Sequence, residues 1–210
     1  MTDKNLRFAK LLVIVNAGVP AALLGWDWLN HNKNLGANPA HFMILTTGML
    51  ALIFLLLTML VTPLRKISGW NWIIFSRRTL GLYAFFYASL HFLIFFSLER
   101  GFSVSGTLSE ILNRKFLIVG SIGLLVMIPL AVTSTNAMIK RLGGKRWRAL
   151  HRLAYIAAIA GALHYYMQVK ADVRQPLVFA AVLAVLLGYR LVVYLQQRKP
   201  AAVSAVKPKP

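Results

Sequence analysis

Residues 42–64 read FMILTTGMLALIFLLLTMLVTPL, a run of 23 positions without one charged side chain. A bilayer core of about 30 Å is crossed by about 20 apolar residues when the chain is helical, so this run reads as a transmembrane helix. Working outward from it, five further stretches have the same character. One spans about 10–30 and carries Pro20 and Asp27. Another spans 79–98, where His91 is the only ionisable side chain besides Tyr83 and Tyr87. The stretch 116–139 is again uncharged, 150–169 holds Arg152 near its start and His164 deep inside, and 176–197 is interrupted only by Arg190, close enough to the end to snorkel. The expected fold class is therefore an all-α membrane protein, a six-helix transmembrane bundle formed by residues 1–197. The Pro-, Ala- and Lys-rich tail, 198–210, is expected to be disordered. No internal repeat and no second domain is evident.

The charge balance agrees with a membrane protein. Of 210 residues 58% are hydrophobic and only 14% charged, yet Lys and Arg number 24 against 5 Asp and Glu, a net charge of +19. A nucleic-acid binder would carry such charge on one face of a soluble fold; here it alternates with apolar runs. Lys4, Arg7 and Lys10 precede the first run, and Arg65, Lys66, Arg77 and Arg78 separate the second from the third. Lys140, Arg141, Lys145, Arg146 and Arg148 separate the fourth from the fifth, and Arg198 and Lys199 follow the sixth. The intervening loops hold few basic residues and most of the acidic ones. By the positive-inside bias both termini are cytoplasmic, in a multi-pass protein of a bacterial inner membrane. The first run leads into Asp27, Trp28 and Asn30 rather than a small-residue cleavage site, so it is expected to be a retained helix. The chain has no cysteine, which excludes disulfides, Fe–S clusters and covalently attached c-type haem.

Ionisable side chains inside a span are costly and are functional candidates by default. His91 lies 13 residues beyond Arg78 and His164 lies 16 beyond Arg148. On two helices running the same way, both sit about 20–24 Å from their basic ends. Facing one another, they form a bis-imidazole pair suited to a haem b iron. His151 lies 13 residues before His164, about 20 Å nearer the cytoplasm, which suits a second, inner haem. On one continuous helix the two side chains would point about 140° apart, and the matching level of the third helix holds Arg77 and Arg78 rather than a histidine. One haem or two therefore remain open at this point. Arg77, Arg78, Arg148 and Arg152 are candidates to pair with haem propionates or a flavin phosphate, or else are positive-inside anchors. Thr133-Ser134-Thr135 could bond a cofactor or its own backbone. His31 and His41, flanking the second helix on the outer side, read as solvated loop or interface residues. No phosphate-binding glycine loop and no buried carboxylate chain is present.

The runs Thr62-Pro63-Leu64-Arg65, Arg77-Arg78-x-Leu80-Gly81-Leu82, Ser89-Leu90-His91, Thr133-Ser134-Thr135, Arg146-Trp147-x-x-Leu150-His151 and His164-Tyr165 resemble the MsrQ family, over about residues 35–190. That family belongs to the ferric-reductase-like transmembrane group. The resemblance implies a haem b subunit that carries electrons across the inner membrane to a periplasmic MsrP-like molybdopterin reductase, which repairs methionine sulfoxide in proteins. The implied donor is the quinone pool or a cytoplasmic flavin reductase, and FMN is a further cofactor associated with the family. By position His91, His151 and His164 match its haem-linked histidines. The chain has no soluble flavin and nicotinamide domain, so it is expected to be an electron-transfer subunit rather than a complete reductase. The alternatives are a cytochrome b subunit of another membrane oxidoreductase and a cofactor-free membrane anchor.

Overall fold

The computed structural model describes residues 3–30 and 34–198; His31 and the expected tail from Lys199 onward lie outside the described residues. The described chain is helical, with no strand. Helix α1 is Asp3–Leu29, α2 Pro39–Ser68, α3 Ser76–Ile94, α4 Val104–Asn113, α5 Lys115–Val132, α6 Asn136–Leu150, α7 Leu153–Gln168 and α8 Arg174–Arg198. Among the described residues five helices are long and apolar enough to cross a membrane: Lys4–Leu29, Pro39–Ser68, Asn71–Glu99, Lys115–Val132 and Arg174–Gln197. Helix α7 has 16 residues and is shorter than these.

Local chemistry sets the ends. Asn38 caps α2 by accepting from His41 N, Pro39 begins the helix, and Gly69 ends it in the left-handed region at φ 72°. A five-residue 3₁₀ turn, Asn71–Phe75, leads into α3, and a π-helical turn, Phe95–Glu99, closes it.

Two expected boundaries are corrected. The stretch 116–139 is not one helix, because α5 stops at Val132. The hydroxyls of Thr133 and Ser134 turn back to Pro129 O and Leu130 O, and Thr135 caps a new helix by accepting from Met138 N. The basic segment that follows is itself helical, broken at Gly143 with φ 73°. The stretch 150–169 begins late, since His151 and Arg152 form the turn between α6 and α7. Helix α4 was not expected; Ser103 caps it by accepting from Gly106 N.

The core joins two closely packed pairs, α2 with α3 and α5 with α7, and α8 seals one side. Leu52, Leu55, Leu56 and Met59 of α2 meet Ala84 of α3, Met127 of α5, Ala157, Ala158 and Ala162 of α7, and Leu183 and Leu186 of α8. The alanines of α7 let backbones approach as lipid-embedded helices require. A Cβ at Gly123 of α5 would meet the Ala160 Cβ at 3.4 Å. Helix α1 is tied on by Tyr87 and Tyr83, whose hydroxyls donate to Ala17 O and Ile14 O at 2.7 Å each. Large apolar side chains such as Leu125, Val132, Val178 and Val185 point outward, where a bilayer would cover them.

Gly123→Ala is expected to be tolerated. Gly123→Leu should force α5 from α7 at a cost of about 1–3 kcal/mol, read as a lower unfolding midpoint in detergent.

Candidate functional site

His91 stands in the last turn of α3 and His164 in the last third of α7, and the bundle brings their rings face to edge. The ring centroids are 6.0 Å apart and the planes meet at 86°. Each ring is held the same way. His91 Nδ1 bonds Ile44 O of α2 at 2.9 Å, and His164 Nδ1 bonds Phe116 O of α5 at 2.7 Å. A carbonyl only accepts, so Nδ1 carries the proton in both rings and Nε2 keeps its lone pair, the form in which imidazole ligates a metal.

The approach depends on a glycine one turn beyond each carbonyl. A Cβ at Gly48 would lie 2.9 Å from His91 Nδ1, and one at Gly120 would lie 2.6 Å from His164 Nδ1. Any larger residue would push the ring off its carbonyl.

The two histidines share a cavity of about 430 Å³, within the usual size of cofactor sites. Its walls are apolar along Leu52, Leu55, Ala88 and Leu117, and its polar rim carries Glu99, Arg100, Glu110 and Arg114. Among the described residues no group of three or more His, Cys, Asp or Glu could hold a bare metal ion. A pair of imidazoles suits a metal whose other ligands come with it, as in a tetrapyrrole.

Comparison with known proteins now bears on this geometry. The family described as the ferric reductase like transmembrane component matches residues 47–162, ending two residues short of His164. A protein of Ralstonia nicotianae is 45% identical over 91% of this chain and 88% of its own length. One from Herminiimonas arsenicoxydans is 49% identical over 89% and 86%, and one from Rhodospirillum rubrum 42% identical over 92% of each. All three carry the name protein-methionine-sulfoxide reductase heme-binding subunit MsrQ. The chain belongs to the MsrQ family.

His151, Arg77, Arg78 and Arg152, the other sequence candidates of this MsrQ-family chain, lie apart from the cavity, near the opposite end of α3 and α7. His151 sits in the α6–α7 turn, stacked on Trp147 at 3.9 Å between centroids, with Nδ1 bonded to Trp147 O at 3.1 Å. Its Nε2 is buried without a hydrogen-bond partner. Arg77 lies within electrostatic reach of His151, Tyr155 and Arg190. Arg78 instead donates to Asn136 Oδ1 at 2.7 Å, and Arg152 is exposed. His41 lines the cavity rim.

Sequence reading did not assign Gly48, Gly120 or Arg190 the part each plays here. The glycines were visible only as small residues, without the ring that needs them. Arg190 does not snorkel. Its guanidinium turns inward, donating to Tyr155 OH at 3.0 Å and to Met59 O at 2.7 Å, and lies over the Tyr155 ring. Thr62 Oγ1 and Arg190 Nε are buried without partners. Arg190→Leu leaves Tyr155 OH and Met59 O unpaired and should cost about 1–3 kcal/mol. The unfolding midpoint measures this, and Arg190→Lys should recover part of the loss.

Proposed function

We propose that the chain is the haem b membrane subunit of a protein-methionine-sulfoxide reductase. In this reading it conducts electrons from a donor at its basic end to a periplasmic MsrP-like molybdopterin reductase. The observation that carries the reading is the His91–His164 pair, with both Nε2 lone pairs left for ligation. A haem iron would be held by His91 and His164 through Nε2, on rings whose centroids lie 6.0 Å apart. The residues therefore fit the group. When bound, haem iron supplies one-electron transfer between its ferric and ferrous states.

The chain's own part is positional and electrostatic. The Nδ1–H bonds to Ile44 O and Phe116 O fix the orientation of both rings and raise the donor strength of Nε2. The apolar walls exclude water. The cavity reaches the level of Arg100, Glu110 and Arg114, the loop end facing away from the basic clusters, where an electron acceptor in the periplasm would dock.

At the other end, quinol or a cytoplasmic flavin reductase is the proposed donor. His151, with its unpartnered Nε2, and Arg77 beside it are the proposed contacts for a second, inner group, whether haem or FMN. Arg78, bonded to Asn136, is the weaker candidate there, and Arg152 would act from the exposed turn.

The same reading has six spans with both termini cytoplasmic in a bacterial inner membrane. Helix α7 covers about 24 Å by its own rise; the extended residue Val169 and the His151–Arg152 turn would complete its crossing. Because the chain has no cysteine, single introduced thiols test this cleanly. An impermeant maleimide added to spheroplasts should label Ser105→Cys, and should label Lys145→Cys only after permeabilisation. The reverse pattern would overturn the orientation.

Optical spectra test the cofactor. Purified protein should show low-spin haem b, oxidised and reduced, and His91→Ala or His164→Ala should remove the component this pair holds. Gly120→Ala should perturb that component by displacing the ring, whereas His151→Ala should leave it intact. A full spectrum in His164→Ala would sink the assignment.

A further inference from the structure

We propose that Arg100 and Arg114 form a carboxylate clamp at the rim of the histidine cavity, receiving the two acidic side chains of the bound tetrapyrrole and so fixing which way it faces. The proposal rests on the haem reading of the cavity and assigns the residues that orient the cofactor rather than those that ligate it.

Both arginines line the same cavity as His91 and His164. Arg100 lies nine residues beyond His91, about 13 Å along the helix, and Arg114 lies six before Gly120, about 9 Å. A long side chain from either point reaches back towards the edge of a group centred between the two rings. The walls between are apolar, so the rim is where a carboxylate would find donors.

Their present partners leave much of this capacity unused. Arg100 donates Nη1 to Glu110 Oε2 at 3.4 Å, while its Nε is buried with no acceptor at all. A buried unpaired donor on a charged group is costly and rare, and an incoming carboxylate would satisfy it. Arg114 uses only Nε, towards Glu110 Oε1, and its two terminal nitrogens remain for an anion. Glu110 thus spaces the two guanidiniums, and Glu99 lines the same cavity, so the clamp draws on the hydrogen-bond donors these arginines leave unused rather than on net charge; planar guanidiniums take carboxylates with two parallel bonds.

The backbone around Arg100 is built with strain. After the π-helical turn, Gly101 and Phe102 both adopt positive φ, 54° and 62°. For an aromatic residue this is an unfavourable conformation that surrounding contacts must hold. Arg100 N bonds Phe95 O, Gly101 N bonds Ser97 O and Phe102 N bonds Phe96 O, at 3.0–3.1 Å. The Phe102 ring sets its edge on Phe96 at 5.6 Å. This corner fixes Arg100 at the rim and starts α4, which brings Glu110 and then Arg114 to the same place.

The test compares iron protoporphyrin IX with its dimethyl ester, which lacks the two carboxylates. The full chain is prepared from haem-limited cells and titrated with each, following the Soret band. Wild type should bind the diacid roughly 10- to 100-fold more tightly, the range for one or two charge-assisted hydrogen bonds. Arg100→Gln with Arg114→Gln should bind both forms alike, with the low-spin spectrum retained. A second measurement uses protein purified with its haem, following release to excess apomyoglobin. Arg114→Gln alone, whose side chain is 57% exposed, should already speed release several-fold. Equal affinity of wild type for diacid and diester would overturn the clamp and leave the haem reading standing. A preference for diacid that survives in the double variant, or release unchanged in Arg114→Gln, would likewise place the carboxylates elsewhere. Failure of wild type to bind either porphyrin, with no haem in the purified protein, would overturn the haem reading itself.

Discussion

The bond from a buried imidazole Nδ1–H to a backbone carbonyl on the neighbouring helix is the constraint on which the rest of this structure turns. A helical carbonyl is normally occupied by the amide four residues on, and a side chain can share it only by lying against the helix surface. Gly48 and Gly120 open that surface one turn beyond Ile44 and Phe116. Once the rings are seated there, both line one cavity with their centroids 6.0 Å apart. The small residues Gly123, Ala157 and Ala160 maintain the close packing of α5 against α7 that delivers His164 to its carbonyl.

Both halves of the site use one design. In α2 and α3 the carbonyl and its histidine are separated by 47 residues; in α5 and α7 the separation is 48. In both, the glycine follows the carbonyl by four positions and the histidine sits between a leucine and an aromatic residue, Leu90-His91-Phe92 and Leu163-His164-Tyr165. The two halves show no repeat in the ordinary sense, because the positions that make the ring-to-carbonyl contact are too few to register as similarity.

This explains how much could be read in advance. The helical membrane class was legible in the charge-free run at 42–64 and in the alternation of basic segments. The His91–His164 pairing was legible in depth counted from Arg78 and Arg148. Rotation about the helix axis was not, since depth fixes height and not facing; hence the roles of the two glycines and the inward turn of Arg190 came only with the fold. The chain break at Thr133-Ser134-Thr135 was ambiguous because hydroxyls bonding their own backbone and hydroxyls bonding a ligand look identical in sequence. His151 was read as part of a continuous helix, whereas the turn at His151 and Arg152 removes the angular argument built on it.

The two ends of the bundle differ in how charge is balanced, and the difference follows from where the acids are. Four of the five acidic residues, Asp27, Glu99, Glu110 and Asp172, fall in or beside the connections away from the basic clusters. The ion pairs among the described residues, Arg100 and Arg114 with Glu110 and Arg174 with Asp172, are all at that end. At the basic end Arg78 and Arg190 find neutral acceptors instead: Asn136 for Arg78, and Tyr155 OH and Met59 O for Arg190. A neutral acceptor orients a guanidinium without cancelling its charge. The basic end therefore holds ordered positive charge beside the unpaired Nε2 of His151. Such a field favours an anionic group on that side and stabilises added negative charge there.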